Sequence, residues 1–116
     1  MFIVLLDEPG LFVFESATAA VREIEPPDAE SEVRAAFDDA AVPYRVEWAR
    51  PNRDRKLLGP VGSVEFGEYR FIPVGQADPA ALIALLEKHS DYTNPPEAKA
   101  EIDVLLERMR RDGGGC

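Results

Sequence analysis

The chain has 116 residues, of which 46% are hydrophobic and 30% charged, a composition typical of one folded domain. Its 22 acidic and 13 basic side chains give a net charge of −9, which disfavours nucleic acid as a ligand because the phosphate backbone is repelled. We therefore expect a single acidic domain over residues 1–116, with no nucleic-acid partner.

Cysteine usage and the first residues bear on the cellular compartment. The only cysteine is Cys116, so no internal disulfide can form. The apolar run at residues 1–6 ends at Asp7, far short of a bilayer-spanning length, and lacks the basic segment that precedes the apolar core of a signal peptide. These features predict a cytoplasmic protein that does not associate with membranes.

The first part of the chain predicts a hairpin followed by a helix. Short runs rich in Phe, Val, Ile and Leu indicate strands at residues 2–6 and 11–14, joined across Pro9-Gly10. Both runs are too uniformly apolar to show the alternation of a half-exposed strand, so at least one of them should lie inside the sheet or be covered on both faces. Ser16 is a suitable helix N-cap, and the apolar residues after it recur at helical spacing until Pro26-Pro27 ends the helix.

Alternation of apolar and polar residues predicts a second hairpin, with strands at 33–37 and 42–48 and an acidic turn between them. Residues 49–63 combine prolines, glycines and four bases without a sustained period, which is typical of a basic loop. Strand-like segments follow at 64–66 and 69–74, and Gly67-Glu68 between them fits either a tight turn or a bulge.

Two helix starts follow. Asp78-Pro79 places an N-cap before a proline at the first helical position, and Asn94 with Glu97 resembles a capping box. The second helix has an apolar stripe, and residues 112–116 are expected to form a flexible tail. The stripe consists of Ala98, Ile102, Leu105, Leu106 and Met109. The chain therefore predicts an α+β fold, a mainly antiparallel sheet built from hairpins and packed against about three helices.

Sequence patterns for catalysis and metal binding are missing. His89 is the only histidine, and its neighbours Ser90 and Asp91 cannot converge on it as a hydrolase triad, whose members come from distant segments. The chain also lacks a P-loop, the zinc-binding H-E-x-x-H and C-x-x-C patterns, and a G-x-S-x-G nucleophile elbow. We therefore predict a protein that is not an enzyme and uses no metal or other cofactor.

The main functional signal is a run of seven carboxylates between residues 23 and 39. Such a run either makes the surface soluble or forms a docking surface for a basic protein. Two adjacent aspartates in it are also typical of a solvated turn. Trp48 either completes the core or anchors an interface. The candidate partner-binding residues are Asp28, Glu30, Glu32, Asp38, Asp39 and Trp48.

The order of short motifs between about residues 11 and 90 resembles small acidic bacterial immunity proteins of polymorphic toxin systems. The motifs are Phe14-Glu15-Ser16, an alanine-rich helix ending at Ile24-Glu25, Ala36-Phe37-Asp38 in a hairpin, Phe71-Ile72-Pro73 and Asp78-Pro79 at a helix start. The likeness is one of layout, and it carries no residue roles. It implies a cytoplasmic inhibitor that neutralises a cognate toxin by masking its active or substrate surface.

Two other functions fit the same sequence. A structural or regulatory subunit would dock through the apolar stripe of the C-terminal helix. A small-molecule-binding domain would need an apolar pocket with a few converging polar groups. The candidates for those groups are Tyr44, Tyr69, Arg45 and Arg70.

Overall fold

The computed structural model describes residues 1–7, 10–56 and 62–113, which form eight strands and four α-helices. The strands are β1 Phe2–Leu6, β2 Gly10–Phe14, β3 Val33–Asp38, β4 Pro43–Arg50, β5 Arg53–Lys56, β6 Gly62–Glu65, β7 Glu68–Pro73 and β8 Thr93–Asn94. The α-helices are α1 Ala17–Glu23, α2 Pro26–Ser31, α3 Pro79–His89 and α4 Lys99–Gly113. Two 3₁₀ turns, Ser90–Tyr92 and Pro96–Ala98, flank β8.

Six strands form one sheet in the order β7-β4-β3-β1-β2-β8, and β5 pairs with β6 in a separate hairpin. Neighbours in the large sheet are antiparallel, except that β8 runs parallel to β2. The predicted α+β fold with a mainly antiparallel sheet is therefore confirmed.

Helices cover both faces of the large sheet and create two cores. On one face, α3 and α4 pack over β1, β2 and β3 around a buried cluster that includes Ile3 and Ile102. On the other face, α1 and α2 pack around a cluster that includes Phe2 and Ala20. Because β1 lies inside the sheet and its alternate side chains enter the two cores, both of its faces are apolar.

Both predicted hairpins and two predicted helix caps are present. β1 pairs with β2 along its whole length, and Ala36 of β3 lies opposite Tyr44 of β4. The Ser16 side chain accepts a hydrogen bond from the Ala19 amide at 3.1 Å, which caps α1. Asp78 caps α3 by accepting from the Ala81 amide, also at 3.1 Å.

The structure differs from the prediction in the basic segment. Residues 49–63 were expected to form a loop, but β4 continues to Arg50, and β5 and β6 form a hairpin from part of this segment. Residues 57–61 lie outside the described residues. Gly67 is neither a hairpin turn nor a bulge within one strand, because it joins β6 of the small sheet to β7 of the large sheet.

Two helix boundaries also differ. A further helix, α2, begins at Pro26, since proline is well accommodated in the first turn of a helix. The last helix begins at Lys99, because Asn94 belongs to β8 and pairs with Phe12 of β2 instead of capping a helix. The apolar stripe of α4 is buried as predicted. α4 continues to Gly113, so the expected tail 112–116 begins inside it, and residues 114–116 lie outside the described residues.

Candidate functional site

The site begins with two phenylalanines on β2. Phe12 and Phe14 lie opposite Val4 and Phe2 of β1, so their side chains are on the α1–α2 face of the sheet. Both rings are only partly buried. A Cβ atom on Gly10 would lie 2.6 Å from the Phe12 ring, so the absence of a side chain at this position leaves room for the ring beside the backbone.

Helices α1 and α2 supply the acidic side of the site. Residues 15–32 contain six carboxylates and one base, Arg22. Because α1 follows β2 directly and α2 returns the chain to β3, four of these acids line clefts with the phenylalanines. They are Glu15, Glu23, Asp28 and Glu32. Five of the six are exposed, and Glu32 is half-buried.

Two adjoining clefts unite these residues. A cleft of about 280 Å³ is lined by Leu6, Phe12, Phe14, Glu23, Ile24, Asp28 and Glu32. A second cleft of about 390 Å³ shares Phe12, Phe14 and Glu23 with the first and extends along β2 to Glu15 and Pro95. We refer to the two clefts together as the acidic trough: it has an apolar floor of aromatic and aliphatic side chains and a rim of carboxylates.

Several rim carboxylates lack an ion-pair partner among the described residues. Glu15, Glu23 and Asp28 form no ion pair with any residue in the described part of the chain. Arg34, the nearest base in sequence after α2, is held instead by Asp7 through hydrogen bonds of 3.0 and 2.5 Å. This pair lowers the pKa of Asp7, mainly through the hydrogen bonds from Arg34.

The field of Asp28 also acts inside the protein. Tyr69 is 7% exposed, and its hydroxyl donates to the Ile24 carbonyl at 2.5 Å, at the C-terminal end of α1. Burial, with the negative charge of Asp28 in addition, raises the pKa of Tyr69 to about 12. This hydrogen bond ties α1, one wall of the trough, to β7 at the far edge of the same face of the sheet.

The structure divides the predicted acidic patch between the two ends of β3. Asp28 and Glu32 line the trough, and Glu30 nearby accepts a hydrogen bond from Asn52 at 2.7 Å. Asp38 and Asp39 lie at the other end, five residues along an extended strand from Val33, which corresponds to about 17 Å. The six predicted residues therefore do not form one surface.

Asp38 is occupied in holding the β3–β4 turn. Its carboxylate accepts from the Ala40 amide at 2.9 Å, the Val42 amide at 3.0 Å and the Tyr44 hydroxyl at 3.0 Å. The turn includes Ala41 with a φ of 65°, a conformation that L-residues rarely adopt, so these hydrogen bonds hold strained backbone in place. Asp38 therefore has the structural role of a turn aspartate.

Asp39 and Trp48 are also engaged within the protein. The Asp39 carboxylate lies 3.5 Å from the N-terminal amine, and its carbonyl accepts from Arg108 at 3.1 Å. Trp48 is half-buried, and its ring lies 5.3 Å from that of Tyr69, centroid to centroid, beside the core under α1 and α2. Trp48 therefore lies at the edge of the core, and its contribution to partner binding stays a prediction.

The two alternative functions, docking through α4 and small-molecule binding, depend on side chains that the fold buries or places on different faces of the sheet. The apolar stripe of α4 lies in the core with α3, so this stripe is not available to another chain. Tyr44 and Tyr69 point into the core under α1 and α2, whereas the neighbouring Arg45 and Arg70 are exposed on the opposite face of the sheet. These four side chains therefore do not converge on a pocket.

Sequence reasoning missed the aromatic floor and part of the rim of the trough. The sequence pattern assigns Phe12 and Phe14 to a strand and gives them no binding role, and Glu15 and Glu23 lie eight positions apart with a helix between them. One signal was present in the sequence, because residues 11–14 are apolar on both faces of the strand, whereas the short β8 that leaves part of the edge of β2 unpaired is visible only in the structure.

The described residues contain no cluster of three or more His, Cys, Asp or Glu side chains suited to holding a metal ion. None of the helices within them has both the length and the apolar character needed to cross a bilayer.

Comparisons with protein-family models, with curated proteins and with solved structures found no match to this chain.

Proposed function

We propose that this protein is a protein-binding module that recognises a basic partner through the acidic trough. The observation that carries this proposal is the combination of a partly exposed aromatic floor with three unpaired carboxylates, Glu15, Glu23 and Asp28. Aromatic side chains supply much of the binding energy of protein interfaces, and a focused negative field accelerates encounter with positively charged surfaces.

In its most specific form, the proposal is an immunity-type inhibitor in the cytoplasm that masks the active or substrate surface of a cognate toxin. The resemblance in motif layout supports this form. Toxins that act on nucleic acid need a basic surface, and an acidic protein that covers it competes directly with the substrate. Such an inhibitor requires binding and no catalytic group of its own.

The test compares two double variants that remove the same charge from different places. Glu23→Gln with Asp28→Asn neutralises the trough, whereas Glu107→Gln with Asp112→Asn neutralises two exposed acids on α4. Each tagged protein is used to capture partners from cells of its native host, and bound proteins are identified by mass spectrometry. Unfolding curves of all three proteins establish that the variants are folded.

We expect a basic protein that is retained by the wild type and by the α4 variant, with an affinity for the trough variant lower by about tenfold. Two lost charge pairs of up to about 1 kcal/mol each account for a change of this size. The affinity should also fall as salt increases. Equal retention by all three proteins would contradict a role of the trough. For the inhibitor form, co-expression of the captured protein should stop growth unless the wild-type chain is present.

A further inference from the structure

The outer edge of β2 is only half covered. β2 pairs with β1 along all five of its residues, but β8 pairs with it only at Leu11 and Phe12. After Asn94 the chain continues through Pro95 into the 3₁₀ turn Pro96–Ala98, and no strand in the described ranges pairs with Val13 and Phe14. The unpaired edge of a strand is a template on which another extended chain can form backbone hydrogen bonds.

A cleft lies on each face of the sheet at this uncovered end. The cleft on the α1–α2 face is the part of the acidic trough with a volume of about 390 Å³. The cleft on the other face, of about 450 Å³, lies against α4 and is bounded by Met1, Ala98 and Glu101. Both clefts also contact Val13, Phe14, Glu15 and Pro95. Since successive side chains of a strand point to opposite faces, a chain laid along Val13 and Phe14 would direct its side chains alternately into the two clefts.

The two clefts have the same chemistry. Apolar groups form the floor of each, and the rims carry Glu15 and Glu23 on one face and Glu97 and Glu101 on the other. All four carboxylates are exposed, and none forms an ion pair with a residue that the structure describes. Lys and Arg match such clefts, because their aliphatic stems cover apolar surface while their charged ends remain at the rim. A guanidinium group also interacts favourably with the face of a phenylalanine ring.

We propose that the uncovered end of β2 binds an extended basic segment of the partner by strand addition, with consecutive Lys or Arg side chains alternating between the two clefts. This inference rests on the proposed function and adds the conformation and the sequence class of the bound segment. It also predicts that both faces of the sheet contribute to recognition, although the acids on α4 are far from the acidic run in the sequence.

Octa-arginine, blocked at both ends, is the probe for strand addition. Three forms have the same charge: one unmodified, one N-methylated at alternate residues, and one N-methylated at every residue. Alternate methylation leaves one edge of the peptide able to pair with a strand, whereas complete methylation removes all its amide donors. We expect similar affinities for the first two peptides and a loss of at least tenfold for the third, measured by fluorescence anisotropy at physiological salt.

Two variants of equal charge locate the binding. Glu23→Gln with Glu101→Gln removes one acid from each cleft and should weaken the unmodified peptide about fivefold, whereas Glu107→Gln with Asp112→Asn should change it less than twofold. Bound peptide should also slow hydrogen exchange of amides in residues 13–15. Equal affinities for all three peptides, with weakening confined to the cleft variant, would overturn strand addition and leave recognition of a basic partner intact. Equal weakening by both variants would overturn both proposals.

Discussion

The acidic trough and the exposed face of β4 and β7 lie on opposite sides of one sheet, and both are rich in charge. On β4 and β7 the carboxylates of Glu47 and Glu68 each have at least one arginine partner. We refer to these two glutamates and their three arginines as the charged ladder. The ladder consists of Arg45, Glu47, Arg50, Glu68 and Arg70, with N–O distances of 2.7 to 3.8 Å. Along the rim of the trough, Glu15, Glu23 and Asp28 have no such partner within the described chain.

The origin of this difference is the way each region is assembled. Antiparallel register places Glu47 opposite Arg70 and Glu68 opposite Arg50, so each carboxylate of the ladder is neutralised across the strands. The rim of the trough comes from the end of β2 and from two helices, and no register matches its acids with bases. Net charge alone therefore says little about binding: the informative quantity is the charge that the fold leaves unpaired.

The two regions also differ in how tightly the backbone is packed, and this gives the largest predicted effect. A Cβ atom on Gly67, beside the ladder, would lie 2.1 Å from the Arg50 carbonyl oxygen and 2.7 Å from a carbon atom of the Pro51 backbone. Neither can move without separating β4 from β7. We expect Gly67→Ala to lower the free energy of unfolding by about 3 kcal/mol, at the upper end of the usual cost of overpacking, as measured by urea denaturation.

Gly10→Ala is the matched control in the trough. There the new methyl group meets the edge of the Phe12 ring, which can rotate away, so the loss should be below about 1 kcal/mol. The displaced ring should nevertheless weaken octa-arginine binding. If the two alanine variants lost the same stability, the distinction between a rigid ladder and an adjustable trough would fail.

Tyr69 joins the two regions and gives the next largest effect. Its pKa is raised from 10.0 to about 12, so the unfolded chain releases this proton near pH 10 while the folded protein holds it until about pH 12. Stability from this group is therefore complete below pH 10 and is lost as pH rises to 12, by about 2 kcal/mol. Tyr69→Phe removes this dependence, together with the hydrogen bond to Ile24, which is worth about 1 kcal/mol at neutral pH.

We therefore expect the wild type to be more stable than Tyr69→Phe at pH 8, and the difference to shrink or reverse between pH 10 and 12. Urea unfolding of both proteins at each pH measures it. Tyr44 also has a raised pKa, through burial and its hydrogen bond to Asp38, but it is present in both proteins and cancels in the comparison. A constant difference across this range would show that Tyr69 does not titrate as its environment implies.

Local signals made much of the fold predictable. Ser16 and Asp78 cap helices because their side chains reach the amide three residues later, and the stripe of α4 is buried because helical spacing places its residues on one face. Long-range pairing was not predictable in the same way. Asn94 has the features of a helix cap, yet it lies beside Phe12 because β2 offers an edge that no local pattern reveals. The β5–β6 hairpin arises in a segment without periodicity.

The site was less predictable than the fold for a geometric reason. The acidic run between residues 23 and 39 is continuous in sequence, but β3 is extended, and it carries Asp38 and Asp39 away from Asp28. Helix α1, in contrast, is short and returns Glu23 to the side of β2, where it lines the same cleft as Phe12 and Phe14. Neighbours in the sequence were separated, and the aromatic floor that gives the trough its binding character came from a strand outside the run.

The smallest predicted effect compares one carboxylate of the charged ladder with one of the trough by the free energy of unfolding. Glu47→Gln removes the 2.7 Å ion pair with Arg70 and should lower the free energy of unfolding by about 0.5 kcal/mol, as is typical of exposed pairs. Glu23→Gln removes an unpaired carboxylate in the last turn of α1, where the helix dipole disfavours it, and should raise stability by a few tenths of a kcal/mol. In 1 M salt both changes should shrink toward zero. Changes of the same sign would mean that the two surfaces do not differ in unpaired charge, and the trough would then have no electrostatic reason to bind a partner.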